Sequence, residues 1–184
     1  GGAIDRQAFD YLATEVLDRI APGLRDFLLR TSVLQDLDAV RCAALTGDER
    51  AGVWLDDTER LGLFASVVDT APYTLRLHDL FRDALQHRLR LEQPAAWREL
   101  QARAAELETD ALRRQAMLLG AQRHAEAAAD LLRIGWELMF QGGVQTLLRR
   151  VEQFPPAFVR DSAELQEVTG VAKWHVWDAH DAER

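Results

Sequence analysis

The residues whose types and spacing could do chemistry are His78 and Asp79, in Leu75-Arg76-Leu77-His78-Asp79-Leu80-Phe81-Arg82-Asp83. A short alternating segment runs there directly into an amphipathic period. A carboxylate at a helix start can accept from free backbone N–H groups and meets the positive end of the helix dipole. By spacing alone Asp79 is such a cap and His78 a half-buried polar residue beside it. Other chemistries lack their residues. No Gly-x-x-x-x-Gly-Lys-Ser/Thr loop is present and Lys173 is the only lysine, so the chain by itself is not expected to hydrolyse ATP. No Gly-x-Ser-x-Gly elbow and no His-Glu-x-x-His pattern occurs. His175 and His180, five apart, fall on different helix faces, which disfavours a shared metal. His87 and His124 have no partner pattern. The sequence therefore predicts no catalytic residue, no metal and no cofactor held by this chain.

Composition agrees with a soluble globular class: 48% hydrophobic and 28% charged in 184 residues, enough for one domain or two small ones. The apolar runs are too short to cross a bilayer and no secretory signal pattern opens the chain, so a cytoplasmic location is expected. Cys42 lies on an apolar helical face in Ala39-Val40-Arg41-Cys42-Ala43-Ala44-Leu45 and reads as a small core residue. The net charge is −8, and residues 1–92 hold eleven arginines and no lysine against sixteen acids. A phosphate-gripping surface is not expected from that balance.

The elements that must position His78 follow from periodicity. Phe9, Leu12, Val16, Leu17 and Ile20 mark a helix from about Asp5 to Ile20, broken at Ala21-Pro22-Gly23. Leu24, Phe27, Leu28 and Leu34 mark a second over 24–34. Asp36 and Asp38 can cap a short helix with Val40, Ala43, Ala44 and Leu45, and Thr46-Gly47-Asp48 separates it from a helix over 49–60. Gly62 then hinges the chain into runs over 63–68 and 73–77, read as a two-stranded hairpin. A closing helix spans about Asp79 to Leu91, and Gln93-Pro94 sets a boundary. This predicts a winged-helix arrangement over 1–92.

After Pro94 the chain becomes alanine-rich and helical: about 95–109, 111–119, 124–133, 136–141, 144–153 and Ser162 to Trp177, with breaks that include Gly135 and Gly142-Gly143. Short breaks and small residues suggest antiparallel helical hairpins of the tetratricopeptide kind over 93–184. The fold class is thus mainly α, a winged-helix-like domain with one small hairpin followed by helical hairpins. The last helix is expected to expose an apolar face of Val168, Val171, Trp174 and Trp177 as a repeat interface.

Three segments carry a resemblance. Phe9-Asp10-Tyr11-Leu12-Ala13-Thr14-Glu15-Val16-Leu17, then Leu24-Arg25-Asp26-Phe27-Leu28-Leu29-Arg30-Thr31-Ser32-Val33-Leu34, then Leu77-His78-Asp79-Leu80-Phe81-Arg82-Asp83 resemble, in order, the large LuxR-family transcriptional regulators of the MalT type. Gly142-Gly143-Val144-Gln145-Thr146-Leu147-Leu148 and Phe154-Pro155-Pro156 are similar to the start of that family's helical sensor. The resemblance implies a fragment between an upstream nucleotide-binding domain, which would take ATP or ADP, and downstream helical repeats that meet a small-molecule or protein effector. Leu77-His78-Asp79 is similar to the Met-His-Asp motif of signalling nucleotide-switch proteins, with leucine in place of methionine. It implies His78 as a phosphate sensor and Asp79 as its orienting partner. The alternative is a stand-alone winged-helix DNA-binding protein with a helical dimerisation tail. Arg41, Arg50 and Arg60 on its candidate helices are outweighed by Glu49, Asp56, Asp57 and Glu59.

Overall fold

The computed structural model describes residues 15–181, with side chains for 15–175. Two compact units divide the chain at Leu107/Glu108. In the first, helical backbone at 15–19 (α1) precedes α2 (Pro22–Thr31), β1 (Leu37–Asp38), α3 (Ala39–Thr46), α4 (Ala51–Arg60), β2 (Ala65–Thr70), β3 (Tyr73–Leu77), α5 (Asp79–Glu92) and α6 (Pro94–Leu107). Helix, strand, two helices and a strand pair in this order make a winged helix. Phe9 and Leu12, expected on the first helix, lie outside the described residues.

Local signals set most of these boundaries. Pro22 opens α2, where its missing N–H costs nothing. At its other end the Thr31 hydroxyl donates to the Phe27 carbonyl at 2.8 Å and the Ser32 hydroxyl to the Leu29 carbonyl at 2.7 Å. Both residues can therefore be buried without an unmet polar group. The Asp38 carboxylate accepts the Arg41 backbone N–H at 2.8 Å and starts α3, and Gly47, at φ +75°, ends it.

The expected hairpin is the larger part of a three-stranded antiparallel sheet ordered β1-β3-β2. β1 pairs Leu37 with Leu75 and Asp38 with Thr74, while β2 pairs Val67 with Leu75 from the other side. The sequence missed β1 because two residues carry no period; the strand exists only through its partner. Leu75 and Leu77 point from the central strand into a core with Leu28, Leu37, Leu55, Phe81 and Leu85, all buried. Each buried leucine contributes about 1.5–3 kcal/mol, so this core fixes where β3 delivers the chain into α5.

The first unit extends past Gln93-Pro94 to Leu107. Pro94 opens a new helix, but α6 buries Leu100, Ala104 and Ala105 and packs on α3 and α5. The second unit holds α7 (Ala111–Gly120), α8 (His124–Phe140), α9 (Val144–Val151), α10 (Pro156–Asp161) and α11 (Ala163–Asp181). α7 and α8 form a tight helical pair, and α9 and α11 pack on α8. Gly135 does not interrupt α8. It is buried inside one continuous helix, where its lack of a side chain leaves room for Val168 and Leu147. Val168 is accordingly turned inward at 4% exposure, against the exposed face expected of it; Trp174 is exposed, Val171 is half-buried, and the side chain of Trp177 lies outside the described residues.

Candidate functional site

β3 ends at Leu77 and α5 begins at Asp79, so His78 occupies the one-residue corner between a buried strand and a buried helix. Its neighbours on both sides are anchored. Leu77 and Phe81 are buried, and the Phe81 ring lies against the Phe64 ring with centroids 5.2 Å apart. The His78 backbone N–H donates to the Phe64 carbonyl at 2.7 Å. Phe64 is able to accept because the turn after α4 passes through two left-handed residues, Gly62 at φ +63° and Phe64 at φ +48°. The second is uncommon for a residue with a side chain and is held by its ring packing. The sequence flagged Gly62 as the hinge and gave no sign of Phe64.

The structure corrects two details at this corner. His78, not Asp79, is the helix cap residue, its side chain makes no capping hydrogen bond, and it is exposed where a half-buried residue was expected. Asp79 is the first residue of α5, and its exposed carboxylate pairs with the half-buried Arg82 guanidinium at 3.1 Å, one turn along. Arg82 thus offsets the negative charge that Asp79 places at the helix start, a role the sequence reading did not assign. An imidazole on a fixed corner beside free helix N–H groups can donate to an anionic oxygen approaching from outside.

The surface that a DNA-reading winged helix would use is differently charged. The outward side of α4 carries Val53, Asp56, Glu59 and Arg60. Arg60 is paired with Asp57 at 2.6 Å, and Arg50 is paired with Asp48 at 3.1 Å while lying over the Trp54 ring at 5.0 Å. Tyr73 of the hairpin donates its hydroxyl to Glu59, which ties the wing to this acidic stripe. Both arginines are thereby committed to carboxylates within the protein. Cys42 is fully buried, and burial pushes its thiol up to about 12, which suits a core residue and not a nucleophile. Among the described residues no cluster of three metal-ligating side chains occurs, and no helix is long and apolar enough to cross a membrane.

Fold and corner together define a winged-helix domain, followed by a separate all-helical unit. Residues 13–97 match the MalT winged helix domain, to which this part of the chain is similar. The chain is 31% identical over 161 residues to the HTH-type transcriptional regulator MalT of Vibrio cholerae, a match covering 83% of this chain and 17% of that protein. It is 35% identical over 97 residues to the proteins of the same name from two Klebsiella pneumoniae strains, covering 53% of this chain and 11% of each. The chain therefore spans less than a fifth of the curated relatives it matches. It is a MalT-like segment of mainly α fold, and its relatives are named as transcriptional regulators.

Proposed function

We propose that this chain is a non-catalytic relay in a transcriptional regulator, joining an upstream nucleotide-binding domain to a helical sensor. The observation that carries the reading is the His78 corner: an exposed imidazole whose backbone is fixed by the Phe64 carbonyl and by the buried Leu77 and Phe81. In a closed arrangement His78 donates to a phosphate oxygen of ADP held by the upstream domain; on opening it loses that partner. Asp79, neutralised by Arg82, shapes the corner without repelling the phosphate. Effector binding to the helical repeats, here or further along the parent chain, biases the two arrangements, all within the cytoplasm. Stand-alone DNA binding has less support, because the arginines flanking α4 are already paired with carboxylates.

The test is nucleotide release from the full-length parent protein. A hydrogen bond to a charged group is worth about 1.5–3 kcal/mol, so His78→Ala is expected to speed ADP release on the order of tenfold or more. Unchanged ADP release together with an unchanged response to effector would remove the relay role from His78. Tight, salt-sensitive binding of the 184-residue chain to duplex DNA would reverse the choice between the two readings.

A further inference from the structure

The second unit contains a pocket that the relay reading does not use. α9, α10 and α11 border a half-open pocket of about 350 Å³, lined by Leu148, Val151, Phe154, Pro156, Val159 and Thr169, with Glu152 and Lys173 as the only charged lining residues. That volume falls within the range of small-molecule sites, which are mostly apolar with a few placed polar groups. The floor is firm, since Val151 and Phe154 are buried and the Phe154 ring stacks on Phe158 at 5.8 Å. The Thr169 hydroxyl is taken up by the Leu165 carbonyl one turn back. The pocket therefore offers an incoming molecule a hydrocarbon floor and charges at its mouth.

The two charges differ in what they can recruit. Lys173 is the only lysine of the sequence and, among the described residues, no carboxylate pairs with it. Its flexible ammonium projects from α11 as a point charge able to meet a single carboxylate. Glu152 follows α9 at its C-terminal cap, where the negative end of the helix dipole adds to its own charge. That side of the mouth opposes a second anionic group and disfavours dianions such as phosphate monoesters. We propose that the pocket binds a small apolar monocarboxylate, its hydrocarbon part against Val151, Phe154 and Val159 and its carboxylate on Lys173. Such binding would stand whether or not His78 senses a nucleotide.

A single lysine makes the test direct. Acetylation of Lys173 by an amine-reactive ester is followed by mass spectrometry with sodium octanoate, with octanol, or with neither, alongside thermal unfolding of the same samples. Octanoate is expected to slow acetylation of Lys173 and raise the unfolding temperature, and octanol to leave the acetylation rate unchanged. Because the ammonium is exposed, Lys173→Gln is expected to weaken octanoate binding only about fivefold and octanol binding not at all. Val159→Phe, which fills the pocket from its wall, is expected to abolish both effects. Octanoate that neither protects Lys173 nor stabilises the chain, or that binds Lys173→Gln as well as wild type, would overturn the proposal. So would loss of protection in the longer parent protein, which would mean that a protein segment fills the pocket there.

Discussion

Replacing Gly135 by alanine should stabilise the second unit, although a glycine in a helical sequence invites the opposite expectation. Gly135 lies within α8, which runs unbroken from His124 to Phe140. A glycine inside a helix costs about 0.5–1 kcal/mol relative to alanine through backbone entropy. A Cβ built there would meet the Val168 Cγ2 at 3.5 Å and the Leu147 Cδ1 at 3.6 Å, both ordinary van der Waals contacts. Neither neighbour has to move, and each contact adds about 0.1–0.2 kcal/mol of attraction. The net expectation for Gly135→Ala is a gain of about 1 kcal/mol, which for a unit of this size raises its unfolding temperature by about 4–8 °C. Gly135→Leu should have the reverse sign, by about 1–3 kcal/mol, since its further carbons have to displace Val168 and Leu147. Urea and thermal unfolding followed by circular dichroism, with hydrogen exchange to separate the two units, read both variants. A loss of stability in Gly135→Ala would refute the continuous, closely packed helix and restore the break at this residue.

Three further outcomes follow from the first unit. Leu75→Ala, at a fully buried position bonded to strands on both sides, is expected to destabilise it by about 2–5 kcal/mol, measured by denaturant unfolding. Asp48 accepts hydrogen bonds from the Arg50 side chain and backbone and from the Trp54 indole N–H, at 2.9–3.2 Å, and these hold its carboxyl well below the usual carboxylate range. A lowered folded pKa contributes stability that is complete above the unfolded value of about 4 and is lost as pH falls below it. Asp48→Asn should therefore flatten the acid limb of a stability–pH curve followed by circular dichroism, and an unaltered limb would exclude this contribution. Cys42, buried and with its thiol pushed up to about 12, should resist thiol reagents at pH 8 in the folded chain and react on unfolding.

The sequence by itself determined those features whose causes are local. Asp38 and Gly47 bound α3 because a carboxylate and a left-handed glycine act on the turn they occupy. The spacing of Phe81, Leu85 and Leu89 made α5 a one-sided helix wherever it was placed, and His78-Asp79 marked its start. Acidic residues on α4 weighed against DNA before any fold was known, because charge is a property of composition. Tertiary structure decided what depends on distant partners. β1 is a strand only because Leu37 meets Leu75, and α6 belongs with the winged helix only because α3 and α5 offer it a surface. Gly135 continues a helix, and Val168 turns inward, because each fills space against the other. The exposure of His78 was likewise set from afar: a carbonyl at Phe64, fourteen residues earlier in the chain, holds its backbone, and the burial of Phe81 fixes the helix that leaves it. Side-chain period and capping chemistry act within a turn or two, whereas strand partners, close helix approaches and the facing of a corner require the whole core to be in place.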